Sequence, residues 1–358
     1  MHTIMHIISN NRFFLLCFLY SLCIHSFIAL HARSIHRPVE TNIPHIKAYW
    51  NEQSPAFHLT DRHIREYPIF TVNAQACYRY ALPDTPITFS TNKTKKVTGM
   101  SLKQDLETLV QEIKDGRSVF SRFRTLCKPD FRRHKGNPCG LIILEHKYYP
   151  FVVKLYIEQP ETFINPFCKG FVPVFFFFMA GGSNRHITGL TRIPNLHRVQ
   201  QALSAHQLWR NRVKTPRKWF WEPRNARFFQ VEGTNIGSNN KPLKNKFPHV
   251  YAVIADKIDM VECQHLTNKV KNKTIIKLCN DLNLAIDPHE NNFIFQIDPI
   301  TKRPIIVIVD TEHFLTMVGV TGKQQFTGHA DFYLSLIKKC AGDIFLCRKD
   351  TINTHYYS

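Results

Sequence analysis

The chain has 358 residues, with 47 Lys and Arg against 27 Asp and Glu, for a formal net charge of +20. Its 44% hydrophobic and 12% aromatic content excludes a disordered chain, because that much apolar surface can offset the entropy of ordering. The 14 glycines and 20 prolines exclude collagen-like or linker material, and the length suits one large or two moderate domains.

Residues 1–32 read as an address label. His2, His6 and Arg12 precede an apolar run from Phe13 to Leu30, and Ala29 and Ala32 stand near a plausible cleavage point. That pattern predicts a signal peptide and an exported (secreted or periplasmic) protein, with a single N-terminal membrane anchor as the alternative. Nothing later in the sequence suggests a multi-pass membrane domain. An N-terminal extension over 33–110 is broken by Pro38, Pro44, Pro55, Pro68, Pro83 and Pro86, and contains the sequon Asn92-Lys93-Thr94. Leu102, Leu106, Leu109, Val110 and Ile113 recur at helical spacing until Asp115-Gly116.

Strands are predicted over 141–144, 151–157 and 171–179, and a helix over 196–209. Further strands follow over 227–231 and 250–255. A helix running from beyond Asp259 to about 282 leads to a hairpin of strands over 293–297 and 305–309, and a last helix covers 332–344. Strands then helices indicate an α+β class. Eight cysteines lie beyond the leader (Cys77, Cys127, Cys139, Cys168, Cys263, Cys279, Cys340 and Cys347), an even number that permits disulfides in an exported chain. Local closure suggests Cys127–Cys139 and Cys340–Cys347. No Cys-x-x-Cys metal spacing occurs.

Positive charge favours nucleotides, acidic proteins or other anionic surfaces as partners. Nucleic acid stays open as well. Arg210, Arg212, Lys214, Arg217, Lys218, Arg224 and Arg227 interleave with Trp209, Trp219, Phe220 and Trp221. Such a strip could hold phosphates and stack bases, or it could be a solvated edge whose aromatics belong to the core.

The most informative stretch is Asp287-Pro288-His289-Glu290-Asn291-Asn292, followed by a hairpin whose second strand ends at Asp310-Thr311-Glu312. An Asp, an Asn five positions on, and a second Asp after an apolar strand resemble the catalytic and metal-binding loops of the protein-kinase-like superfamily, in its aminoglycoside- and choline-kinase-like branch. The resemblance implies a two-lobed fold, with a β-rich N-lobe over 111–258 and a short helical C-lobe over 259–358. It also implies ATP and magnesium as cofactors. Asp287 would be the catalytic base, while Asn292 and Asp310 would hold the metal, and in that role Asp310 would be replaceable without unfolding the chain. Lys154, in Phe151-Val152-Val153-Lys154-Leu155, matches the lysine that contacts the phosphates. Asp256 falls at the position of the last small-lobe strand and hinge, where it would help to bind the nucleotide.

The physics agrees, because phosphoryl transfer needs a carboxylate to orient a hydroxyl and hard oxygen ligands for a metal on the phosphates. A lysine in an apolar strand also asks for an anion. The predicted helix over 196–209 carries no Asp or Glu, so Glu158, Glu161 or Glu222 would have to pair with Lys154. Two other readings use the same residues. Asp287, His289, Asp310 and His313 could ligate the metal of a hydrolase. Alternatively, a kinase-like scaffold without catalysis could serve as an exported binding module or effector.

Overall fold

The computed structural model describes residues 45–49, 56–58, 72–129, 131–160, 183–233, 243–258, 266–298, 301–317 and 325–328. The leader, the strand predicted over 171–179, the last predicted helix, Glu161, and Cys168, Cys263, Cys340 and Cys347 lie outside them.

The fold is mixed α+β, with several antiparallel sheets and few helices. In chain order come β1 (His45–Tyr49), β2 (Ala56–His58), β3 (Pro86–Thr88), β4 (Lys96–Thr98), helix α1 (Gly99–Lys114), β5 (Phe123–Cys127), β6 (Arg132–His134), β7 (Asn137–His146) and β8 (Phe151–Ile157). Helices α2 (Ser183–Gly189) and α3 (Arg192–Ala205) follow, then β9 (Val213–Lys214), β10 (Lys218–Trp221), β11 (Phe228–Gly233), β12 (Leu243–Pro248) and β13 (Val250–Asp256). Helix α4 (Asn268–Asp281), β14 (Phe293–Ile297), β15 (Pro304–Ile308) and a short α5 (Phe314–Met317) complete the described elements.

A six-stranded sheet runs in the order β10-β13-β8-β7-β5, with β6 pairing off β7. A second sheet has the order β12-β11-β1-β2, a third β14-β15-β9, and β3 pairs β4. Among these strand pairs only β9 with β15 is parallel.

Helix α1 forms where the sequence predicts it. The Thr98 hydroxyl accepts from the Ser101 amide at 3.2 Å and caps its first turn. Leu102, Leu106, Leu109, Val110 and Ile113 line its buried face, so the helix runs unbroken across residue 110. They pack on Ile142, Leu144, Val153, Leu155, Ala252 and Ile254 of the six-stranded sheet. Each such side chain contributes about 1.5–3 kcal/mol by burial. Gly99 is fixed by its surroundings, since a Cβ there would lie 1.6 Å from the Pro83 carbonyl oxygen. Backbone cannot yield cheaply, so Gly99→Ala is expected to cost about 3 kcal/mol. Urea midpoints of the variant and of Thr98→Ala (about 1 kcal/mol expected) check this.

A second core joins Val199 and Leu203 of α3, Trp209, Ile275 and Leu278 of α4, and Phe293, Phe295, Ile306 and Ile308 of the β14–β15 hairpin. Helix α3 starts at Arg192, ahead of its predicted start, and the residues after Ala205 turn into β9. Strands β1 to β6, β9, β10 and β12 are additions to the predicted set.

The suggested Cys127–Cys139 bridge does not form. Cys127 is an exposed free thiol opposite Ile143, while Cys139 pairs across to Arg132. Four residues of extended β7 separate those positions by about 13 Å, beyond the roughly 7 Å limit between bridged Cα atoms. Among the described residues, no helix is long and apolar enough to cross a membrane.

Candidate functional site

Side chains alternate across a strand, so the six-stranded sheet has two different faces. Val153, Leu155 and Ile157 of β8 point to the α1 core. Lys154 and Tyr156 therefore point the other way. Lys154 lies opposite Val253 and Tyr156 opposite Tyr251 on β13. On the far side of β13, Lys218 of β10 lies opposite Ala255, which puts it on the same face as Lys154. This second face meets the start of α3 and the end of β15.

The meeting is a network of buried charge. Asp310 follows β15, and its Oδ2 lies 2.5 Å from the Lys154 ammonium. Arg192, the first residue of α3, donates from Nε to Asp310 Oδ1 at 2.8 Å and from Nη2 to Oδ2 at 3.2 Å. The same Nη2 donates to Glu312, whose other oxygen accepts from the Thr188 hydroxyl. Lys218 donates to the Thr311 hydroxyl at 2.8 Å, and that hydroxyl donates on to the Arg192 carbonyl at 2.5 Å. Lys154 therefore pairs with Asp310. Of the substitutes expected from sequence, Glu222 accepts from the Tyr78 hydroxyl and Glu158 accepts from the Gln159 amide.

The loop bearing Asp287 is tied to the same place. Asn195 donates to the Ala285 carbonyl at 2.6 Å and to the Thr311 carbonyl at 3.0 Å, so one side chain spans both segments. The Asn292 side-chain amide donates to the Asp287 carbonyl at 3.1 Å, and the Asn292 carbonyl accepts from the Val309 amide at 3.0 Å. Asp287 Oδ1 accepts from the His289 amide at 3.1 Å. His289 Nδ1 in turn accepts from the Asn291 amide, which holds the loop.

Charges follow the geometry. Burial would raise the Asp310 carboxyl, yet Arg192, Lys154 and Lys218 hold it well below the usual carboxylate range. Burial lowers Lys154 against the pull of Asp310. Burial also takes Lys218 down to about 7. Asp287 moves up, first through burial and then through the negative charges of Glu312 and Asp310. That electrostatic contact places Asp287 within the field of the network.

Lys154, Asp287, Asn292 and Asp310 are thus brought into one neighbourhood. Asp256 is not among them. Its carboxylate takes two hydrogen bonds from the Arg217 guanidinium, from Nε at 2.7 Å and Nη2 at 2.8 Å, and a third from the Arg217 amide at 3.3 Å, and it closes the end of β13 onto the turn before β10. The aromatic strip also resolves. Trp209, Phe220 and Trp221 are buried, and Arg217 covers Trp219 with its guanidinium 5.1 Å from the ring centre. No platform of exposed stacking rings results from these four aromatics. The metal-hydrolase set is not assembled either. His313 Nδ1 sits 2.8 Å from the Thr316 hydroxyl at the start of α5, and no group of three His, Cys, Asp or Glu that could hold a metal occurs among the described residues.

Sequence reasoning missed Arg192, Asn195, Thr311 and Glu312, and it read Lys218 as surface. The alternation Lys218-Trp219-Phe220-Trp221 carries the same signal that singled out Lys154. A cavity of about 870 Å³ lies against the four-stranded sheet, with Asn73, Tyr78, Lys244 and Lys246 in its lining, and it shares no residue with this network. No family model, curated protein or solved structure matches the chain.

Proposed function

We propose that this is an exported, two-lobed kinase-like phosphotransferase that uses a nucleotide and magnesium. Export rests on the apolar leader. The observation that carries the activity is the meeting of Lys154, on β8, with Asp310, just after β15 of another sheet, beside the Asp287–Asn292 loop.

The donor set suits a hard cation. Asp310 offers carboxylate oxygens, and Asn292 donates from its amide nitrogen to the Asp287 carbonyl, so its Oδ1 is the atom that could accept or ligate. Asp310 and Asn292 would hold the magnesium ion, which supplies charge neutralisation at the phosphates when bound. Lys154 would turn from Asp310 to the nucleotide phosphates. Asp287 would accept the proton of the attacking hydroxyl, and its upward shift makes it a better base than an ordinary aspartate.

Both Asp310 oxygens are already engaged by cations, which favours a second reading in which nucleotide binds without turnover. One experiment separates the readings. Mg-ATP at 100 times its dissociation constant should stabilise the protein by about 2.7 kcal/mol, and a missing thermal shift would sink both. Asp287→Asn should keep that shift while phosphotransfer falls at least about a hundredfold. A shift in wild type without any turnover leaves the binding module.

A further inference from the structure

We propose that Arg192, Lys218 and Tyr156 form an oxyanion position beside Asp310 that takes a phosphate group directly, without a metal ion. The inference rests on the phosphotransfer reading only in choosing phosphate among oxyanions.

Three cations, Lys154, Arg192 and Lys218, converge on two carboxylates, Asp310 and Glu312, with half-buried Asp287 nearby. Lys154 and Arg192 touch those carboxylates. Lys218 instead donates to a neutral hydroxyl, that of Thr311, and the residue is only 5% exposed. A buried ammonium in that setting is held at a desolvation cost that an anion would relieve. The downward shift of Lys218 is the mark of that cost.

Two further donors are buried at this face of the sheet. Arg192 Nη1 and the Tyr156 hydroxyl are buried without a hydrogen-bond partner among the described residues. They belong to one contact, since the Arg192 guanidinium lies 5.6 Å from the Tyr156 ring centre. A water molecule could satisfy either donor but would leave the Lys218 ammonium on a neutral hydroxyl. Phosphate oxygens satisfy donors and charge together, through short charge-assisted bonds. The approach is from the side of Lys154, whose side chain is 22% exposed.

The test is titration of the full chain with inorganic pyrophosphate in EDTA, at near-physiological salt, followed by calorimetry and thermal unfolding. Saturable stabilisation of the wild type is expected. Lys218→Met and Tyr156→Phe should each weaken affinity about tenfold, while Lys244→Gln combined with Lys246→Gln, at exposed positions, should not. Without pyrophosphate, Lys218→Met should unfold at or above the wild-type temperature, because it removes a buried ammonium that donates to a neutral hydroxyl. Should that variant fail to fold, Tyr156→Phe decides. No wild-type stabilisation, unchanged affinity in the deciding variants, or loss in the exposed-lysine variant each overturns the inference. Failure with Mg-ATP alone sinks the phosphotransfer reading, whereas failure with metal-free pyrophosphate alone sinks this one.

Discussion

Asp310→Ala is expected to lower the unfolding free energy by about 3–5 kcal/mol, before any ligand is added. The carboxylate receives Lys154 and two donors of Arg192, and its removal leaves the buried Arg192 with Glu312 alone and the half-buried Lys154 without its carboxylate. The loss is that of an uncompensated charge rather than of one contact. Lys154→Met should be much milder, since Arg192 still neutralises Asp310. Urea midpoints of the two variants give the comparison. Equal midpoints for Asp310→Ala and wild type would mean that the network does not hold the second face of the sheet to β15. The geometry therefore sets a stability cost against the sequence expectation that Asp310 could be replaced without unfolding the chain. Asp287 and Asn292, at the half-buried rim, are the better positions for probing ligand binding.

Stability should also fall steeply in mild acid. His186 is buried, its Nε2 donates to the Pro248 carbonyl at 2.8 Å, and burial holds it down at about 3. In the unfolded chain the same histidine titrates near 6.5. Below that pH the unfolded state takes up a proton that the native state refuses until about pH 3, so stability is complete above 6.5 and drains away on acidification. His186 alone should contribute a loss of about 3 kcal/mol by pH 4. His313, held at about 4 by burial and Arg198, and His146, lowered by burial, act in the same direction. The depressed Asp310 adds its share below its own unfolded value near 3.8. Denaturation midpoints measured from pH 7.5 to 4 check this, with His186→Gln expected to flatten the slope. A wild-type profile that stays level over that range would contradict the burial of these rings as uncharged groups.

Much of the site was legible because its residues break local patterns. Lys154 interrupts an apolar strand, and Asp310 ends one. Asp287 and Asn292 keep a spacing that a loop can close with one side-chain bond, and it does. What was illegible depends on pairing between distant segments. Lys218 sits in sequence among Arg212, Lys214 and Arg217, which hid its alternation with Trp219 and Trp221. Only its place beside β13 buries it. Arg192 precedes the apolar periodicity that marked the helix, and the acid that pairs with Lys154 is Asp310, which lies outside that helix. Asp256 looked like a hinge residue because it ends a strand, but Arg217 claims it. The α+β class was readable from element order, whereas β9 is two residues long and is defined by its partner β15 rather than by its own composition.

The order of synthesis gives the charged face of the sheet a further consequence. All strands of the six-stranded sheet are complete once Asp256 has been made, and α3 precedes β10. At that stage the growing polypeptide presents Lys154, Lys218 and Arg192 together, while Asp310 and Glu312 have yet to emerge from the ribosome. Arrival of the last hairpin is therefore a neutralisation event as well as a packing one. A nascent chain halted before residue 310 would carry a sticky cationic surface that the finished protein keeps out of sight.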